Sequence, residues 1–272
     1  MSKSSMLAAD DGTEPGWMQL MSPWGTMERW TWMGNLSVWA NDGYIAPSMT
    51  GGETHDGALI REHLADILRT ATVMIDVGAH IGSHAIAYAL LSSPNARVFA
   101  FEAQRQQFAL LRRNLDRSPV GYKVHARHAA AGHRTAPAVT LSAFAEDGPG
   151  ARQPVQYGSA QPYNLGGLAL GMGGESISMV ALDDLFPDMI ERLDFLKLDV
   201  EGAEPFVLLG AAHLLQRFRP TILLERNEKV VTPAMRESVG WTGGRVPDAL
   251  ELLRRWGYRQ FRALDPENLL CS

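Results

Sequence analysis

At 272 residues and 46% hydrophobic content, the chain can bury one substantial core, at the upper edge of what a single core fills. A formal net charge of -5 gives no general attraction to nucleic acid or to anionic membranes, and the one cysteine, Cys271, excludes a disulfide framework or a cysteine-based zinc site within one chain. No run approaches the roughly 20 apolar residues of a membrane helix, and the N-terminus lacks a signal peptide's apolar region, so a cytoplasmic protein is expected.

Residues 1–16 are small, polar and acidic, and read as a disordered tail. From residue 17 to residue 39 five tryptophans (17, 24, 30, 32 and 39) are interrupted by Pro23, Gly25 and Gly34, which forbids one long helix. This segment is expected to form an aromatic cap, or a lid over a pocket, within a cap and lead-in region 17–70. Leu59, Ile60, Leu64, Ile67 and Leu68 fall at helical spacing and predict a helix over 57–70.

The catalytic-scale domain is read over 71–272. TVMIDV (72–77) is apolar without alternation, as a parallel strand covered on both faces must be. A helix over 83–91, a strand over 97–101, a helix over 105–116 and a strand over 123–128 follow, which is the period of βαβ units. Strands at 138–141 and 177–182 flank an insertion, 143–176, rich in Gly, Pro, Gln and Ala. A strand over 194–199, a helix over 205–218 and a strand over 221–225 continue the alternation. A helix over 247–256, with 258–263 and 268–271 as an antiparallel hairpin, completes a doubly wound, mostly parallel seven-stranded α/β sheet.

Asp76-Val-Gly-Ala-His-Ile-Gly82 lies between the first strand and its helix. Gly78 permits the turn and a close approach by ligand, and Gly82 opens the helix. A dinucleotide fingerprint would place a glycine where His80 stands, and Asp76 would repel a diphosphate but favour a cationic ligand. These two residues count against a nicotinamide oxidoreductase. Glu102, at the end of the second strand and followed by Ala103, can accept hydrogen bonds from two ribose hydroxyls. Ala129, within His128-Ala-Ala-Ala-Gly132, leaves room for an adenine ring.

Three segments, IDVGAHIGSHAIAYAL, VFAFEAQRQQFALLRRNL and DFLKLDVEGAEPFVLLGA with RPTILLER, resemble the FkbM family of O-methyltransferases in order and spacing across about residues 41–225. Asn41-Asp-Gly-Tyr-Ile45, Asn164-Leu-Gly-Gly167, Ala181-Leu-Asp183 and the final ENLLCS extend the similarity. The family most often has Asn where this chain has His80. The resemblance implies a class I, Rossmann-like methyltransferase fold, S-adenosylmethionine as cofactor, and transfer of its methyl group to a hydroxyl of a small molecule, sugar or glycan. An N-methyltransferase of the same fold and a non-catalytic cofactor-binding protein remain as alternatives, and a homodimer stays open.

Asp199, at the end of a strand and beside the expected methyl group, is the first candidate for placing the acceptor or removing its proton, and also for contacting cofactor. Glu201 and Glu225 join it as catalytic candidates. His55 could reach the acceptor from a lid. Tyr163, Asn164 and Glu204 are candidates for acceptor binding. Asp199 and Glu225 could also share a magnesium ion, although two acids more often make a polar pocket, so no metal ligand is assigned. His80 and His84 lack a third placed ligand for zinc.

Overall fold

Short apolar runs separated by helical ones leave one economical solution, a sheet whose two faces are both covered. In the computed structural model, which describes residues 25–145, 148–186, 189–226 and 231–272, that sheet has seven strands. The tail read over 1–16, together with Trp17 and Trp24, lies outside the described residues.

The chain begins with a hairpin, β1 (Thr26–Thr31) and β2 (Gly34–Trp39), paired antiparallel. A short helix, α1 (Ile45–Ser48), follows. The helix expected over 57–70 is interrupted: α2 (Gly57–Leu59) and α3 (Ala65–Thr70) are joined by a π-helical turn, Ile60–Leu64. The sheet is then built from β3 (Val73–Val77), α4 (Ser83–Leu91), β4 (Arg97–Glu102), α5 (Arg105–Arg117) and β5 (Val124–His128). After β6 (Ala130–Ala131), β7 (Ala136–Ser142), β8 (Gly173–Val180) and α6 (Leu182–Leu185) come β9 (Phe195–Leu198), α7 (Glu204–Leu209), α8 (Ala212–Phe218) and β10 (Thr221–Glu225). The chain closes with α9 (Pro233–Ser238), α10 (Ala249–Arg255), β11 (Phe261–Ala263) and β12 (Asn268–Cys271).

The strand order is β11-β12-β10-β9-β3-β4-β5, with β10-β9-β3-β4-β5 parallel and the β11/β12 hairpin antiparallel on the β10 side. This is the class I methyltransferase, Rossmann-like arrangement. Period-two alternation divides β3 between two cores: Met74 packs with α4 and α5 on one face, and Val73, Ile75 and Val77 pack with α6, α7, α8 and α10 on the other. β6, β7 and β8 form a separate three-stranded sheet, so the strands expected at 138–141 and 177–182 lie outside the main one.

Two expectations are corrected by backbone packing. The helix expected over 205–218 is two helices, because Gly210 passes so close to the Gly132 carbonyl that a β-carbon there would collide with it. The insertion ends at residue 172 rather than 176, since 173–176 already belong to β8.

From residue 25 on, the segment read as an aromatic cap or lid is a hairpin seated on α5. Asn114 on α5 accepts from Ser37 N (2.8 Å) and donates to Ser37 O (3.0 Å) and Ile81 O (2.9 Å), tying hairpin, α5 and the turn after β3 together. Trp39 is buried against Tyr157, with ring centroids 5.1 Å apart, whereas Trp30 faces solvent. The insertion is fastened through Asn41, whose Nδ2 donates to Gln156 O (2.8 Å), Ser159 Oγ and Gln161 O (both 3.3 Å), and whose Oδ1 accepts from Gly158 N (3.0 Å). Asn41→Ala should therefore leave buried donors and acceptors unpaired at a cost of about 1–3 kcal/mol. Limited proteolysis would read this as faster cleavage within 143–172, with the rest of the domain cut no faster than in the wild type.

Candidate active site

Five parallel strands direct their C-terminal ends to one side, and the turns that leave them line a cavity of about 280 Å³. Its walls include Gly78 and His80 after β3, Glu102, Ala103 and Gln104 after β4, Ala129 and Ala130 after β5, Asp199 and Glu201 after β9, and Glu225 at the end of β10. Asn164, Gly166 and Leu170 of the insertion, and Tyr44, His55 and His84, complete it.

The turn after β3 is set by backbone bonds. Gly78 N and Ala79 N both donate to Phe101 O (3.0 and 2.9 Å), and Gly78 has a φ of 81°. A β-carbon on Gly78 would collide with the Asp199 carbonyl, so two strand ends meet there without a side chain between them. His80 also has positive φ (52°), which is costly outside glycine, and its N–H donates to Glu102 Oε2 (2.7 Å). Glu102 Oε1 accepts from Gln104 N (2.7 Å). Both carboxylate oxygens are thus aimed by the backbone. Burial outweighs these bonds and pushes Glu102 up to about 7. Burial also pushes the His80 imidazole down to about 4, leaving it neutral near pH 7.

Asp76 occupies a different place from the one the sequence implies. It is fully buried, does not line the cavity, and stands opposite Lys197 in the β3–β9 register, with Lys197 Nζ 3.5 Å from its Oδ1. Lys197 Nζ also donates to Asp199 Oδ2 (2.9 Å) and to Gly78 O (3.0 Å). Asp76 therefore faces Lys197 and not the cavity. Burial raises the Asp76 carboxyl. For Asp199, burial works upward too, but the Lys197 ammonium and hydrogen bonds from Glu225 and Lys197 hold it well below the usual carboxylate range. Burial and the adjacent Asp199 push Glu225 up to about 11, so this pair of acids keeps a proton between them at neutral pH.

Oxygens of Asp199, Glu201 and Glu225 lie within 4.8 Å of one another, a donor set that a hard cation could accept. The retained proton and the Lys197 ammonium, which Asp76 shares, offset two of those three negative charges. Glu201 adopts φ of 58° in the loop that carries it into the cavity.

The remaining candidates divide. Asn164 lines the cavity, and its Oδ1 accepts from Gly167 N (3.1 Å). Tyr163 does not: it is 3% exposed and packs in the core, with its N–H donating to Asn41 O. Gly82, outside the cavity, takes φ of 87° to start α4 and packs against Leu111. Glu204 is buried, and its Oε1 accepts from Val200 N (3.0 Å) and Gly202 N (3.2 Å), closing the loop that presents Asp199. It lines a neighbouring cavity rather than this one. Sequence reasoning passed over Gln104, whose Oε1 accepts from Tyr157 Oη (2.6 Å) and whose Nε2 donates to Gly166 O (3.3 Å), because a glutamine at a helix start carries no distinctive pattern.

Among the described residues no helix is long and apolar enough to cross a membrane. The family model described as "Methyltransferase FkbM domain" matches residues 76–259. Methyltransferase FkbM from Methylobacillus flagellatus KT is similar in structure at 18% identity and a TM-score of 0.45, covering 74% of this chain, which itself spans 44% of that protein's length. Aeropyrum pernix fibrillarin is similar at 12% identity and a TM-score of 0.44, over 94% of this chain and 84% of its own. An O-methyltransferase from Bacillus cereus is similar at 14% identity and a TM-score of 0.42, over 83% and 84%. No curated protein matches the sequence.

Proposed function

The chain belongs to the FkbM methyltransferase family, whose model spans residues 76–259, and from that premise we propose that it methylates a hydroxyl group of a small molecule, sugar or glycan. It is an S-adenosylmethionine-dependent methyltransferase. Glu102 is the group for the ribose hydroxyls, with two N–H donors fixing its orientation, while Ala103 and Ala129 leave room for the adenine. His80 and Gly78 border the methionine part. S-Adenosylmethionine supplies an already activated methyl group, so the protein's task is to align the acceptor, exclude water and receive a proton.

The observation that carries the choice of a hydroxyl is the state of the acids at the strand ends. Asp199 is compensated by Lys197, and Glu225 keeps a proton that it shares with Asp199, so the acceptor wall offers hydrogen-bond acceptors with two of its three negative charges already offset. A neutral hydroxyl suits that wall better than an ammonium does, and a protonated amine has no lone pair with which to attack. With its proton affinity so low, Asp199 orients the acceptor and does not deprotonate it. Glu201 and Glu225 supply further hydrogen bonds to it, as Asn164 does from the insertion.

Incubation with methyl-tritiated S-adenosylmethionine and a panel of catechols, polyols, monosaccharides and hydroxycarboxylic acids tests this reading, with matched amines as competitors. Label should enter hydroxyl compounds. Label found only in amines would overturn it. Because Lys197 and the retained proton already offset two of the three carboxylate charges, exhaustive chelation should leave the rate within about twofold, and loss of activity restored by magnesium would show that a cation completes the site.

A further inference from the structure

Asp56 stands where an aspartate ordinarily caps a helix, immediately before α2, yet its side chain makes no capping bond. Its backbone is left-handed (φ 55°), and its carboxylate turns instead toward two imidazoles. The same oxygen, Oδ2, lies 3.5 Å from His84 Nε2 and 3.7 Å from His55 Nε2. His84 comes from the first turn of α4, directly behind the cofactor turn, whereas His55 and Asp56 belong to the loop that leads in from the hairpin. Both histidines line the cavity and Asp56 does not. A carboxylate sits behind two rings that face the reaction space.

That arrangement answers a question left by the strand-end acids. Asp199 binds protons too weakly to take one from a hydroxyl, and Glu225 already holds one. We propose that His55 is the general base of methyl transfer, with Asp56 fixing its ring and His84 anchoring Asp56 to the cofactor domain; this rests on the hydroxyl-methylation reading above. The acceptor oxygen forms the new O–CH₃ bond, the C–S bond breaks with its electron pair returning to sulfur, and the hydroxyl proton passes to His55 Nδ1. With Nε2 turned to Asp56, that ring places its proton on Nε2 and keeps Nδ1 free to accept. The 3.7 Å separation contracts to a hydrogen bond when ligand fills the cavity, as such bonds commonly do on forming the reactive complex. His55 and Asp56 are positioning and base groups supplied from outside the sheet, so the base is in place only while the lead-in loop is seated on α4.

The charged and titratable groups that bear on this cluster are Lys197, which acts on Asp56; Asp76 and Asp199, which act on His84; Tyr88, stacked on His84 with ring centroids 6.0 Å apart; His80, which feels His55, Asp42, Asp199 and Lys197; and Tyr44, whose ring lies 5.5 Å from His55. Asp56 is held below the usual carboxylate range because the close approach and charge of His84 and the charge of His55 outweigh its burial, which keeps it ionised.

The full chain with His55→Gln, Asp56→Asn, His84→Gln and the Asp56→Asn/His84→Gln pair tests the assignment, with folding followed by thermal melting and cofactor binding by titration with S-adenosylhomocysteine. His55→Gln should lower turnover of the tritium assay about 100-fold at saturating S-adenosylmethionine, with affinity for S-adenosylhomocysteine changed less than twofold. Asp56→Asn and His84→Gln should each lower kcat about tenfold, and the pair should be no worse than Asp56→Asn alone, because both act through one ring. Independently of any acceptor, ¹⁵N resonances of the His55 ring in the S-adenosylhomocysteine complex should report one fixed tautomer in the wild type and an averaged one in Asp56→Asn. Unchanged turnover in His55→Gln, additive losses in the pair, or an averaged ring in the wild type would each overturn the assignment. Failure of the wild type to label any hydroxyl compound, with a fixed ring that Asp56→Asn releases, would overturn the hydroxyl reading and with it the proton step, while leaving the positioning of the ring by Asp56 in place.

Discussion

Lys197→Met should lower the melting temperature by about 10 °C and abolish measurable binding of S-adenosylmethionine. The lysine is 3% exposed and is the counter-ion within reach of two carboxylates, one of them fully buried. Removing one partner of a buried ionic group costs about 3–5 kcal/mol, and for a chain of this size each kcal/mol moves the midpoint by about 2–4 °C. The loss should diminish toward pH 4, because the stranded carboxyls then take up protons and cease to be charged. Replacing Asp76 as well, as in Asp76→Leu/Lys197→Met, should recover much of the stability, since an apolar pair fills the same cross-strand position and Asp199, one-third exposed at its side chain, can turn to water. Cofactor binding should stay lost, because Lys197 also holds the Gly78 carbonyl at the turn. Thermal melts and calorimetric titrations of the two variants check both halves, and a double variant no more stable than the single one would show that Asp76 and Lys197 are not the energetic pair described.

Glu102→Ala should weaken S-adenosylmethionine binding by roughly 100-fold or more. Hydrogen bonds to an ionised carboxylate contribute about 1.5–3 kcal/mol each, and this residue offers two to a ribose while orienting the turn through His80 N. Glu102→Gln is not a mild change here, since both neighbours of the carboxylate are N–H donors and the new amide must set its own donor against one of them. The pH dependence has a definite sign. The free carboxyl titrates at about 7, and ribose hydroxyls donate best to the ionised form, so affinity should fall as pH drops below about 7. For stability the direction is reversed: the folded carboxyl holds its proton more tightly than the unfolded chain, whose ordinary value is 4.5, so its contribution is fully present below 4.5 and is lost as pH rises through about 7. Titrations between pH 5.5 and 8 separate the two, and an affinity flat across that range would place the ribose elsewhere.

Much of this protein was open to reading from local pattern. Apolar runs of strand length alternating with helices, as in 72–77 and 83–91, can be satisfied only by a doubly covered parallel sheet, and parallel strands bring their C-terminal ends to one side. Gly78, His80, Glu102, Ala103, Ala129, Asp199, Glu201 and Glu225 end strands or come shortly after them, so their presence around one cavity follows from topology. What the sequence could not determine was which way a side chain faces within a strand and which distant segment it meets. Asp76 was two residues from Gly78 in the chain, yet it lies within β3, short of the strand end, where the neighbouring strand brings up Lys197, 121 residues later. Glu204 and Tyr163 carry suitable chemistry, but closing a loop and filling a core absorb them. His55, Asp56 and His84 show the same limit from the other side: no spacing relates a residue before the domain to one on α4, and only packing of the lead-in loop on the helix sets one carboxylate between two imidazoles. Periodicity and strand order are local properties, written in neighbouring residues, whereas the polarity of a buried site depends on contacts across the fold, and those exist only once the chain has closed.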